Sequence, residues 1–414
     1  MRRVMVFLLA AGLACALAVP VGAAPPSSNP KSDAAAAASW LGRQVNASGF
    51  IPQSSNPAQP NLSVSAQVVT ALAAAGVGNA EVNALLAYLG AHVNDFVVNA
   101  GVDDPGSLAY LILAARAGGD DPSSFGPDHA DLVARLVATQ QSSGLFGNAD
   151  PTFDGAFRQG LSLLALHAGG VTNSAGVAWL EGQQCASGLW TAFRSDTTTP
   201  CPPVDTTAFT GPDTNSTALA VLGLHAQGAS SGIANALTAL DGVRNSGGGW
   251  GFLARSDQAT DANSTGLVLE AIRSARSTTD TKGIEALLQL QVGCTGTSTD
   301  EGGIAFQPGA GGKLVPDQMA TVQATPALAE VALPIIAPEI QNGLVAPCKS
   351  PSTTTVPATT AGGVAASTTG ATSAAATTTQ LPNTGNSSIP VALVALLLCA
   401  CGGALAAGSR TRRE

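Results

Sequence analysis

The chain has 414 residues, 45% of them hydrophobic, 4% aromatic and only 11% charged, with a formal net charge of −9. With both termini set aside, 13 basic residues stand against 26 acidic ones, so the body offers no electrostatic footprint for nucleic acid or anionic headgroups. Nucleic acid is excluded as a partner.

Residues 1–23 begin with Arg2 and Arg3, continue through an apolar stretch from Val4 to Val19 and close on the small residues VGA. This is the pattern of a secretory signal peptide. Cys15 is read as part of that discarded segment, because in GLAC Leu13 stands one position too near for a lipidation signal.

Residues 24–348 repeat one plan six times, in units starting near residues 33, 79, 127, 173, 232 and 283. Each unit has an amphipathic helix, a glycine-rich turn with an aromatic residue, a variable loop, an acidic residue and a second helix. In PDHADLVARLVATQQ, Leu132, Val133, Leu136 and Val137 share one face, whereas TNSTALAVLGLHAQG is apolar or small nearly all round. The first kind is half exposed and the second buried. The turns align at Phe50, Phe146, Trp190, Trp250 and Phe306, with Phe96 in a degenerate second copy. Asp104, Asp213 and Asp261 stand twelve residues before Arg116, His225 and Arg273; Asp317 fills that column in the sixth copy, Asp154 falls one residue early in the third and Leu62 replaces it in the first. Six such pairs predict an all-α fold, an (α/α)6 toroid of six inner helices ringed by six outer ones.

Four cysteines lie in this region: Cys185, Cys201, Cys294 and Cys348. An even number in an exported domain points to disulfides rather than metal ligands. Three pairings are open, and sequence proximity favours Cys185 with Cys201 and Cys294 with Cys348. Residues 349–380, rich in Ser, Thr and Ala, cannot bury enough apolar surface to order and are read as a stalk.

Residues 381–414 start with LPNTG, continue into an apolar segment at 389–407 and end with Arg410, Arg412 and Arg413. This resembles a Gram-positive sortase signal. The resemblance implies cleavage between Thr384 and Gly385, with sortase and peptidoglycan as partners and a cell-wall location outside the cell. The alternative is a permanent transmembrane helix, since roughly 20 apolar residues span a bilayer.

The segments QQCASGLW (Gln183 to Trp190) and QQSSGLF (Gln140 to Phe146) carry the Gln–Gly–aromatic pattern that follows the outer helix of each repeat. On these residues the chain resembles the prenyltransferase and squalene-cyclase toroid superfamily, whose relatives include protein prenyltransferases, complement thioester domains and cobalamin carriers of the transcobalamin type. Squalene-hopene-type cyclases protonate their substrate with the middle acid of D-x-D-D-T-A. Here PDTNSTA keeps Asp213, Thr217 and Ala218 but has Asn215 and Ser216 where the two acids would stand, and DANSTG repeats the pattern at Asp261 and Asn263. An amide has no proton to give a carbon–carbon double bond. The zinc ligands of the prenyltransferases and the C-G-E-Q of the thioester domains have no counterpart, so no metal or cofactor is expected. His167 and His225, at the ends of inner helices, suit the negative end of the helix dipole.

Asp before a helix caps an orphan N–H, worth about 1 kcal/mol, which accounts for the acidic column. The side chains of Asn215 and Asn263 are expected to point toward the toroid mouth, where polar groups around an apolar funnel describe a ligand site. The candidate rim is therefore Asp104, Asp213, Asn215, Asp261, Asn263 and Asp317. The expected function is non-catalytic capture of a small molecule, corrinoid-like by the carrier resemblance, with a separate lid or transporter protein as partner. The alternatives are an enzyme acting on isoprenoid or polysaccharide substrates and a surface adhesion or spacer module.

Overall fold

The computed structural model describes residues 29–148, 155–294 and 299–347. The signal peptide, Asp154, Cys348, the stalk and the sorting signal with its anchor segment lie outside the described residues. Those residues form thirteen α-helices: α1 (Pro30–Gly42), α2 (Leu62–Ala75), α3 (Asn79–Ala91), α4 (Val93–Val97), α5 (Pro105–Gly118), α6 (Leu132–Ala138), α7 (Ala156–Ala168), α8 (Ser174–Gly182), α9 (Thr214–Ala226), α10 (Ile233–Gly242), α11 (Ala262–Arg276), α12 (Thr281–Leu288) and α13 (Gln318–Leu328). Two short antiparallel ribbons accompany them: β1 (Val98–Asn99) with β2 (Val102–Asp103), and β3 (Trp190–Thr191) with β4 (Pro212–Asp213).

Helices α2, α5, α7, α9, α11 and α13 form an inner ring in which each packs on the next and α13 returns to α2. The outer helices α1, α3, α6, α8, α10 and α12 each lie across two successive inner helices, α1 spanning α13 and α2. The fold is an (α/α)6 toroid. Inner helices with apolar and small residues on every side suit a position walled in all round. At one crossing the backbones touch: a Cβ on Gly160 of α7 would lie 2.2 Å from the Leu219 carbonyl oxygen of α9, and one on Gly223 would lie 2.4 Å from that of Gly160.

The repeated turn motif joins each unit to its neighbours. Gly188 has a left-handed φ of +88°, and a Cβ there would sit 2.7 Å from the Asn235 carbonyl oxygen of the next outer helix, α10. Gly302 repeats this at +91° and 2.4 Å against Ala36 of α1, docking the sixth unit on the first. Gln184 Nε2 donates to the Gly188 and Gly232 carbonyls at 2.8 and 2.9 Å, and Gln291 Nε2 to those of Gly302 and Asp33, both at 2.9 Å. The indole N–H groups of Trp190 and Trp250 donate to the Leu180 and Leu240 carbonyls, near the ends of their own outer helices.

The fourth residue of five inner helices receives the turn. Thr217 Oγ1 accepts the backbone N–H of Trp190 at 3.0 Å and Thr265 Oγ1 that of Trp250 at 3.0 Å. Ser65 accepts from Ile51, the Gln159 Oε1 from Phe146, and Thr321 from Ile304. The aromatic column of the sequence is corrected by this pattern: in the first and sixth units the place of the tryptophan is taken by Ile51 and Ile304, not by Phe50 and Phe306. The last two letters of D-x-N-S-T are thus structural, Ser supplying a capped N–H and Thr holding the preceding turn.

Cys185 and Cys201 form a disulfide. Cys294 is also disulfide-bonded, and its expected partner Cys348 lies outside the described residues.

Beyond α13 the chain lies across the C-terminal mouth of the inner ring. The Leu333 N–H donates to Glu270 of α11 at 3.3 Å, and that of Ala337 to the Arg116 carbonyl of α5 at 2.8 Å. These helices stand three places apart in a ring of six, so the strap crosses the bore. It continues to the Gly76 carbonyl after α2 through the N–H of Gln341, and ends on α1, where the Val345 N–H donates to Ser39 Oγ.

Candidate functional site

All six inner helices line a small cavity on the toroid axis, of about 40 Å3. Its lining follows one register. Counted from each helix start, the sixth residues are Gln67, Tyr110, Leu161, Leu219, Leu267 and Gln323, and the ninth residues of four helices are Thr70, Leu113, Glu270 and Pro326. Phe157, second in α7, and Leu333 of the strap extend the lining beyond these two layers. Residues spaced by four and three along a helix lie on one face, so each inner helix turns the same stripe to the axis. The wall is two-sided: α7 and α9 offer only Phe157, Leu161 and Leu219, whereas the polar residues come from α11, α13, α2 and α5.

Glu270 is the single acid inside any of the six inner helices, and its side chain is 1% exposed. Its Oε2 accepts the Leu333 N–H, and no other described residue bonds the carboxyl. Burial pushes its pKa up to about 8, the one hydrogen bond opposing this. At neutral pH the group holds its proton, as a carboxyl acid without a counter-charge does in an apolar setting. A protonated carboxyl both donates and accepts, and Glu270 sits where the strap closes the bore, in a layer with Thr70, Leu113 and Pro326.

The rim residues named from sequence take the following places. Asp104, Asp213, Asp261 and Asp317 are the N-caps of α5, α9, α11 and α13, accepting the N–H of Ser107, Ser216, Ser264 and Ala320 at 2.7 to 2.8 Å. Asp104 also pairs with Arg158 of α7 at 3.0 Å. Burial pushes Asp213 and Asp261 each up to about 7, against the lowering by their Ser216 and Ser264 hydrogen bonds, and burial raises Asp317 too. In the first unit Asn61, one residue before the expected Leu62, caps α2, and in the third Gly155 holds the cap position. Asn215 and Asn263 are the second residues of α9 and α11, one turn above the sixth-residue layer. Asn263 Nδ2 donates to Gln323 Oε1 at 2.8 Å, and its own Oδ1 is buried without a partner. The Asn215 Oδ1 accepts from Thr214 at 3.3 Å. No cluster of His, Cys, Asp and Glu able to hold a metal ion occurs among the described residues.

The sequence reading did not single out Glu270. Its signal was present in STGLVLEAIR, an acid in the middle of a helix whose other positions are predicted to be buried.

No family model matches the sequence, and no curated protein matches it. Among solved structures the chain is similar to a protein from Actinoplanes, at 16% identity and a TM-score of 0.50 over 73% of this chain and 99% of that one. It is also similar to an arginine-to-alanine variant of type II terpene cyclase MstE from Scytonema in complex with geranylgeranyl dihydroxybenzoate, at 14% identity and a TM-score of 0.51 over 73% and 97%. A third likeness is to an inactive variant of the alpha-1,6-mannanase GH76A of Salegentibacter in complex with alpha-1,6-mannotriose, at 14% identity and a TM-score of 0.45 over 74% and 100%. These likenesses are of fold. The α/α toroid is common ground for all of them.

Proposed function

We propose that the axial shaft is an active site and that the protein is an enzyme acting there on an extended, mainly apolar molecule of the isoprenoid class, with Glu270 as proton donor. The observation that carries the reading is a buried carboxyl, bonded only by the Leu333 N–H among the described residues, at the strapped end of a bore with one apolar wall. A carboxyl that releases its proton near pH 8 is too weak an acid for a carbon–carbon double bond, in keeping with the loss of the cyclase acids at Asn215 and Ser216. It is suited to an oxygen. The Glu270 O–H bond breaks as an O–H bond forms on a substrate oxygen such as an epoxide or carbonyl, and the carboxylate left behind keeps the Leu333 N–H as donor.

This reading replaces non-catalytic capture as the main function, because the acidic column of the rim is taken up by capping and Glu270 is the acid that lines the shaft among the described residues. A polysaccharide fits less well, since glycoside hydrolysis uses two carboxylates and among the described residues Glu270 is the one carboxylate lining the cavity. Rim capture of a small molecule, corrinoid-like or other, is kept as a second reading on the strength of the orphan Asn263 Oδ1; a lid or transporter protein would be its partner. In either case the sequence ends favour an exported toroid joined through Thr384 to peptidoglycan. Wall digests releasing a chain that stops at Thr384 test that part, and full-length chain recovered only from membranes would contradict it.

The enzyme reading is tested with 10,11-epoxyfarnesol and the Glu270→Gln variant. Wild type is expected to consume the epoxide with a rate that falls as pH rises through about 8, and the variant to bind it without turnover. Equal turnover by the variant, or no binding by wild type, overturns the assignment.

A further inference from the structure

One turn above Glu270, two glutamines from neighbouring inner helices face the shaft at the same level. Gln67 of α2 is 8% exposed, and its Nε2 donates to the carbonyl and hydroxyl oxygens of Ser63, both at 3.3 Å. A carbonyl accepts only, so the amide nitrogen faces Ser63 and the Gln67 Oε1 is left as an acceptor for the cavity. Gln323 of α13 has the complementary arrangement: its Oε1 takes the Asn263 Nδ2 at 2.8 Å, and its Nε2 is left as a donor. The rest of that level is Tyr110 on the helix beside Gln67, Leu267 on the helix beside Gln323, and Leu161 and Leu219 across the bore.

An acceptor beside a donor on one wall, with leucines opposite, matches a hydroxyl group. We propose that Gln67 and Gln323 are specificity-determining residues that read a hydroxyl on the substrate, one helical turn from the oxygen served by Glu270. The inference rests on the assignment of the shaft as the active site and narrows its substrate to an apolar chain with two oxygens on one edge. Three residues of helix rise place them about 4.5 Å apart, the reach of substituents three or four carbons apart on a chain. A hydrocarbon or a compound oxygenated at one end leaves the amide pair without partners, and buried polar groups left unpaired are the strongest source of discrimination a site of this kind has.

The test uses two diols of equal polarity, 1,4-decanediol and 1,10-decanediol, with 1-decanol as the reference, titrated calorimetrically into the purified protein. The 1,4-diol is expected to bind on the order of tenfold more tightly than the 1,10-diol. Gln67→Leu and Gln323→Leu are each expected to abolish that preference while still binding 1-decanol, and Gln323→Met serves if the leucine variant does not fold. If 1-decanol binds but wild type does not separate the two diols, or if the preference survives in both variants, the amide-pair assignment is wrong and the shaft reading stands. If none of the three compounds binds, both are wrong.

Discussion

Replacing Glu270 by glutamine isolates the cost of keeping an acid in the bore. The amide has nearly the same shape and keeps an oxygen for the Leu333 N–H, so below pH 4.5 the two proteins should be similarly stable, within about 1 kcal/mol. There the wild-type carboxyl is protonated whether the chain is folded or not, and its burial carries no ionisation penalty. As pH rises, the unfolded chain releases its proton near 4.5 while the folded one retains it to about 8. The unfolded state then binds fewer protons and stability falls with pH, levelling off only above the folded value. Taking 1.36 kcal/mol for each pH unit, wild type should lose about 3 kcal/mol relative to Glu270→Gln between pH 5 and pH 7.5. The other raised acids, Asp213 and Asp261, are present in both proteins and cancel in the comparison. Urea unfolding at a series of pH values measures the difference. Parallel curves for the two proteins would refute the raised pKa and, with it, the claim that Glu270 carries a proton at neutral pH.

Thr217→Val and Thr265→Val should each cost about 1–3 kcal/mol, because each strands the buried backbone N–H of a tryptophan; unfolding free energies from urea titration that change by less than about 0.3 kcal/mol would show the turns are held otherwise. Gly302→Ala, with a Cβ 2.4 Å from the Ala36 carbonyl oxygen, should destabilise well beyond Gly170→Ala, which has a similar left-handed φ of +79° but nothing within 4 Å. Gly170→Ala is expected to show only the backbone strain of about 1 kcal/mol, and equal melting temperatures would mean ring closure does not depend on that contact. Peptide mapping without reductant should join Cys185 to Cys201, and reducing this bridge across 16 positions of sequence should cost about 3 kcal/mol; an unchanged stability after reduction would count against the loop as a constraint on the unfolded chain.

The ring was legible because its determinants recur. Six buried helices of small and apolar residues, five of them preceded by the same glycine-rich turn, have few ways to satisfy one another besides closing on themselves. The capping role of the acidic column was also legible, since Asp followed by small polar residues has a local meaning. Register was less so: Ile51 and Ile304 fill the places of tryptophans without resembling them, because the pocket between outer and inner helices asks for bulk rather than aromaticity. The shaft was missed for another reason. Which stripe of an all-buried helix faces the axis is set by neighbours on both sides, and neither periodicity nor propensity distinguishes Glu270 turned inward from Glu270 turned toward a partner. The strap was hidden too, because residues 329–345 have no repeat to echo.

Helices α1 and α2 find their last neighbours only in α13 and in the turn before it, and the bond from Gln291 to Asp33 spans 258 positions of sequence. Such closure is late by construction, since contacts of long separation must first overcome the entropy of the intervening chain. Until the sixth unit arrives, units one to five form an arc with two bare apolar ends, one on each side of the gap. A chain cut near residue 300 would therefore be an open arc poised to stack end to end with others, rather than a toroid missing one sixth of its stability. Removing a unit from this ring costs the protein its solubility before it costs it any particular contact.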